Sequence, residues 1–164
     1  MPGQIIYIMG VSGSGKTTIG KLLSQKTTIP FYDADDFHMK ANKEKMKAGQ
    51  PLNDEDRKDW LQKINGLAVE QQQLNGAIIA CSALKEKYRA VLGKGVVKAQ
   101  WIFLQGSYDL ILERMKKREG HFMPAALLQS QFDNLEIPSD AFCISIEKKT
   151  EEIASAIADH LGDN

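Results

Sequence analysis

Short, fully apolar runs alternate along the chain with longer stretches whose apolar positions recur every three or four residues. "QIIYIM" (4–9) is β-rich and bounded by Gly3 and Gly10, which predicts a buried strand. Residues 16–25 place Ile19, Leu22 and Leu23 on one helical face. "PFYDAD" predicts a short strand ending in acids, and 36–48 a helix that stops at "GQP". The longest helix is expected over 54–74. Acids fill its first turn, Trp60, Leu61, Ile64, Leu67 and Ala68 line one face, and Asn75-Gly76 ends it. "AIIAC" and "QWIFLQ" read as strands on either side of a short helix at 85–92. Ser107 is placed to cap a helix over 108–118. After the breaker "REGHFMP", a helix runs through Asn134, then a strand "AFCISI", then a helix opened by Thr150 and reaching Leu161. Five strands with helical connections predict a three-layer α/β/α domain over 1–164 with a five-stranded parallel sheet. The segment around 118–124 is the expected mobile loop.

Bulk properties narrow the partners. The 164 residues suit one domain with a real core. Basic and acidic side chains balance at 21 each, so no overall field draws the chain to nucleic acid or to an anionic membrane. No apolar run approaches the ~18 residues of a spanning helix, and "MPGQIIYIMG" lacks the basic start of a signal peptide. Cys81 and Cys143 sit in apolar stretches and read as buried free thiols of a reducing, cytoplasmic compartment.

Candidate chemistry enters at "GVSGSGKTT" (10–18). Gly10, Gly15, Lys16 and Thr17 fit GxxxxGK[ST] between a predicted strand and a predicted helix. Val11, Ser12, Gly13 and Ser14 fill a tight loop whose backbone N–H groups turn inward around an anion, and Thr18 follows it. The helix N-terminus adds partial positive charge. Lys16 would reach the β- and γ-phosphates, and the Thr17 hydroxyl would ligate Mg²⁺. This fixes a nucleoside triphosphate but does not separate a switch, a hydrolase or a transferase. No Asn-Lys-x-Asp base reader of a GTP switch is present.

The second cluster is "FYDADDFH" (31–38). In an open α/β sheet ligands bind beyond the carboxyl ends of the strands. Asp33 and Asp35 fall there, one to support Mg²⁺ and one to accept a hydroxyl proton. The same acids suit a helix cap at Asp35 or Asp36. "AIIAC" ends in Ser82 rather than in an acid, which leaves Asp33 as the natural metal support. The chain has four arginines, Arg57, Arg89, Arg114 and Arg118, against seventeen lysines. Arg114 and Arg118 are one helical turn apart beside the breaker loop, and Lys85 and Arg89 are spaced likewise after the third strand. Each is a candidate grip on an anion or an ordinary surface charge. His38 and His121 lie in the two suspect segments, and His160 reads as surface.

Together "GVSGSGKTT", "DADDFH", "NKEKMKAGQPLNDEDRKDWL", "IIACSALKEKYR", "REGHFM" and "LLQSQFDNLE" resemble the gluconate kinase family over nearly the whole chain. That family is related to shikimate and nucleoside-monophosphate kinases. The resemblance implies a phosphate-loop kinase fold with a mobile lid at 118–124. It implies ATP, Mg²⁺ and D-gluconate as ligands, 6-phosphogluconate as product, and a homodimer. It assigns Lys16, Asp35 and Arg118 to catalysis and Thr17 and Asp33 to the metal. Residues 10–18 and Arg114 fall to the nucleotide, and Asp35, His38, Arg57, Lys85, Arg89 and His121 to the substrate. Met39 and Asp59 stand where the family usually has proline, both at predicted helix starts. Shikimate kinase shares Phe31, Asp33, Asp35 and an arginine near Arg57. It differs in a Gly-rich turn where this chain has "CSALK" and in an arginine after the lid. A kinase of another small hydroxy acid, or a nucleotide-dependent binding module, are the competing readings.

Overall fold

Strand β1 (Ile5–Met9) is apolar at every position because both of its faces are covered. Ile6 and Ile8 point into one core, and Ile5, Tyr7 and Met9 into another. The computed structural model describes residues 3–117 and 125–162. Its other strands are β2 (Phe31–Asp33), β3 (Ala77–Ala80), β4 (Ala99–Gln105) and β5 (Phe142–Ser145). They form one parallel sheet in the order β2-β3-β1-β4-β5.

Helices α1 (Lys16–Thr27), α5 (Tyr108–Lys116), α6 (Ala125–Asn134) and α7 (Thr150–Gly162) cover one face. They contribute Ile19, Leu23, Ile111, Leu128, Ile153 and Ile157 to its core. The other face carries α3 (Asp54–Gln71) and α4 (Glu86–Gly93), with Trp60, Ile64, Ala68 and Leu92 buried beneath them. Each of the leucines and isoleucines among these contributes about 1.5–3 kcal/mol by leaving water. Helix α1 lies so close to β2 that a Cβ on Gly20 would stand 2.3 Å from Phe31 Cε2. Glycine at that position sets how closely the helix behind the phosphate loop seats on the sheet. No helix among the described residues is long and apolar enough to cross a membrane.

The chain departs from its pattern in three places. The helix expected over 36–48 is broken. A 3₁₀ turn (Ala34–Phe37) comes first, His38 is extended, and α2 (Lys40–Lys47) starts afresh. The cause is His38, whose ring turns inward to stack on Trp60 at 4.0 Å. The cap is neither Asp35 nor Asp36 but Asp33, whose carboxylate accepts the Asp35 N–H at 3.0 Å. Lastly, Cys81 is buried as expected, but Cys143 is exposed because β5 is an edge strand.

Candidate active site

The carboxyl ends of β1, β2 and β3 open into one cleft of about 420 Å³. Its donor side is the loop between β1 and α1. Gly13 (φ 81°) and Gly15 (φ 98°) adopt the left-handed region that lets the loop turn on itself. Gly15 caps α1 without any side-chain bond, so protein does not cover the helix's first N–H groups from that side. Beneath the loop the buried Ser14 hydroxyl has no protein partner among the described residues. Uncapped N–H groups and a helix N-terminus opening into the cleft together fit a phosphate chain. Lys16 Nζ folds back to donate to the carbonyls of Gly10 and Val11, 3.0 Å each. Thr17 Oγ1 donates to Asp33 Oδ2 at 3.0 Å. A hydroxyl and a carboxylate side by side form the hard oxygen pair that Mg²⁺ prefers when phosphates and water supply its other ligands.

The acceptor side is assembled from distant segments. Asp35 lines the cleft with Lys16 and Asp33. Crowding by the protein raises its carboxyl above the ordinary 3.8, Lys16 pulls it down, and Asp33 and Asp36 push it up. The side chain also faces open solvent, so water holds that rise in check. The net direction is upward, toward a better proton acceptor. His38 is held the other way. Burial, then Arg57 and Lys43, lower it to about 4 against a weaker pull from Asp33, so it is a neutral ring at pH 7. Trp60, on which it stacks, is pinned by its indole N–H donating to Ala34 O at 2.7 Å.

Arg57 reaches the cleft from the first turn of α3. A capping box fixes that turn: Asn53 accepts the Asp56 N–H, and Asp56 accepts the Asn53 N–H. The guanidinium donates to Leu52 O at 2.6 Å and to Tyr88 Oη at 3.1 Å. Tyr88 in turn donates to Asp54, whose other oxygen is taken by Lys87. Those two bonds depress Asp54 to about 2, and burial with the Asp54 contact pushes Tyr88 up to about 12. Among the described residues no carboxylate lies within ion-pair reach of Arg57. Its charge faces a cleft suited to an anionic substrate.

The other cations lie elsewhere. Arg89 ties Ala83 O to Glu136 O, at 2.8 and 3.0 Å, around a left-handed Ala83 (φ 46°). Lys85 borders a separate surface depression with Glu86 and Glu136. Arg114 donates to Ile146 O at 2.7 Å, outside the cleft lining, and Thr18 is exposed on α1. Arg118, His121 and the expected lid lie outside the described residues. Burial pushes the Cys81 thiol up to about 12, which makes it inert. Sequence reasoning missed the wall formed by α6. Leu127, Gln131 and Asn134, spaced i, i+4 and i+7, face the cleft together with Ser130. The signal was available: two amides continue an apolar stripe where leucines would suffice for packing.

The shikimate kinase family model matches residues 12–161. The thermosensitive gluconokinase of Escherichia coli (strain K12) is 46% identical over 84% of this chain and 74% of its own length. An unliganded sugar kinase structure from Janibacter sp. HTCC2649 superposes with a TM-score of 0.91 at 40% identity, covering 98% of this chain and 95% of that one. A gluconokinase structure from Sinorhizobium meliloti 1021 gives 0.85 at 35% identity, with the same coverages.

Proposed function

This chain belongs to the shikimate kinase family of phosphate-loop kinases, among its gluconokinases, and on that premise we propose how its cleft phosphorylates D-gluconate. The enzyme transfers the γ-phosphoryl group of ATP to the terminal hydroxyl, giving 6-phosphogluconate and ADP. It is assigned Mg²⁺, a cytoplasmic site of action and a homodimeric state. The observation that carries the residue assignment is Arg57. It is a guanidinium with no carboxylate partner among the described residues, in the same cleft as the phosphate loop and Asp35.

Gluconate lies with its carboxylate toward Arg57 and its far hydroxyl toward Asp35. Asp35 orients that hydroxyl and takes its proton as the oxygen attacks the γ-phosphorus. The new O–P bond forms as the bond to the β–γ bridging oxygen breaks, and ADP leaves. Lys16 leaves its resting carbonyls to follow the charge that builds on the phosphoryl oxygens. When bound, Mg²⁺ neutralises phosphate charge, and Thr17 and Asp33 would hold it. Neutral His38 on Trp60 provides a flat wall without adding a second cation. The family resemblance further assigns Arg118 to the transferring group and His121 to the substrate. Arg114 is assigned to the nucleotide on the family resemblance, although its bond is to Ile146 O.

A coupled ADP-release assay tests this with ATP–Mg²⁺ and a panel of gluconate, shikimate, other sugar acids and nucleoside monophosphates. Gluconate should give the highest kcat/KM. ATP turnover indifferent to every acceptor would overturn the reading.

A further inference from the structure

One contact in the cleft has no part in the scheme above. Gln131 of α6 makes two bonds to a single phosphate-loop residue, 119 positions away. Its Oε1 accepts the Ser12 backbone N–H at 2.7 Å, and its Nε2 donates to Ser12 Oγ at 3.1 Å. The N–H can only donate, so the amide's orientation follows from the contact. Ser12, Gly13, Lys16, Asp33, Asp35 and Gln131 all line the same cleft. Ser12 therefore stands where the donor loop meets the acceptor wall. It directly precedes left-handed Gly13, so the plane of its peptide helps set how the following N–H groups converge.

We infer that Gln131 is a positioning residue for phosphoryl transfer: its side-chain amide fixes Ser12 and thereby aligns the phosphate loop with the acceptor wall. This rests on the kinase reading of the cleft. Packing alone does not account for the residue. Leu127 and Leu128 already bury the inner face of α6, and Gln131 is half-buried at the cleft wall with both ends of its amide spent on Ser12. The amide also makes α6 responsive to the nucleotide. Any shift of Ser12 toward an arriving phosphate must be followed or released by Gln131, and α6 begins directly after the segment 118–124.

Three variants test the inference, each checked for folding by thermal unfolding. Gln131→Met keeps length and helix propensity but removes both bonds. Gln131→Glu keeps an acceptor for the Ser12 N–H and adds charge beside the phosphates. Ser12→Ala removes the hydroxyl contact alone. For Gln131→Met, kcat should fall about 10- to 100-fold, as misalignment near 1 Å does, with KM for gluconate within about threefold. Affinity for a non-hydrolysable ATP analogue should weaken severalfold. Ser12→Ala should cost severalfold alone and under about twofold on the Met background, because the two share one interaction. Gln131→Glu should weaken the analogue about tenfold or more, and less so at high salt. Analogue affinity and kcat within twofold of the parent in Gln131→Met would overturn the inference. So would parental analogue affinity in Gln131→Glu, which decides the matter if the Met variant does not fold. If the parent phosphorylates none of the acids, the functional reading fails. Analogue affinity then still decides the role of Gln131.

Discussion

The donor side of the cleft comes from one stretch of chain, and the acceptor side from three. Gly10 to Thr17 form a loop, a lysine and a helix start in consecutive residues, braced by β1 beneath and α1 behind. The acceptor wall collects Asp35 from a 3₁₀ turn, Arg57 from α3 and Gln131 from α6, and Tyr88 of α4 braces Arg57 from behind. Local construction ties the donor side to distant chain at few points, Gln131 on Ser12 and Asp33 on Thr17. Dispersed construction makes the acceptor side depend on ties such as Trp60 to Ala34 and Arg57 to Tyr88. Substitutions in the donor loop, at the base Asp35 and at Gln131 should fail in kcat, and those at Arg57 and its brace Tyr88 in KM for gluconate.

The largest loss is expected on the donor side. Lys16→Ala should lower kcat by about 10³-fold or more, since its charge follows the transferring group. The fold should survive, as the ammonium rests on carbonyls of its own loop. Near-normal turnover in a folded variant would remove the residue from the chemistry.

Asp35→Asn should lower kcat by about 10²- to 10³-fold, the usual worth of a positioned base, with ATP affinity held. Asp33→Asn should instead shift the Mg²⁺ dependence, because it is the carboxylate that touches Thr17. A magnesium titration of both variants separates them, and exchanged phenotypes would reverse the two roles.

On the acceptor side alone, Arg57→Gln should raise KM for gluconate about 10- to 100-fold, the value of a charged hydrogen bond. Tyr88→Phe should raise it only about threefold, because the phenol holds the guanidinium without reaching the cleft. Saturation curves at fixed ATP measure both. An equal rise in KM for ATP would mean that Arg57 serves the donor side.

The last effect is read on stability rather than on turnover, and it concerns pH. His38 takes up a proton near 6.5 when unfolded and only near 4 when folded. Between those values the unfolded chain binds more protons, so stability falls as pH drops. The contribution is complete above 6.5 and lost as pH falls through about 4, on the order of 3 kcal/mol. Urea midpoints measured from pH 7 to 4 should fall less steeply in His38→Gln than in the parent. Parallel curves would mean the ring titrates normally.

The five strands, the helices between them and the donor loop were legible because each is written in consecutive residues. Period and motif report such features directly. The break at His38 was not legible, since it depends on a tryptophan 22 positions later turning its ring to meet the imidazole. Arg89 and Lys85 have the spacing of an anion grip, but spacing does not reveal that Arg89 is spent on two carbonyls. The cleft face of α6 was hidden because its sidedness is set by where the helix docks. The exposure of Cys143 was hidden because a short apolar run reads alike in a central and an edge strand.

The contrast between the two thiols has a practical side. Cys81 is buried and held in its neutral form, whereas Cys143 is open on β5. A maleimide dye added to the native protein should therefore attach at one place, with no cysteine first engineered away. Because β5 sits two strands from β1, the dye would report from the flank of the sheet. Its fluorescence, paired with a second dye introduced on α2, would let single molecules be watched as ligands come and go.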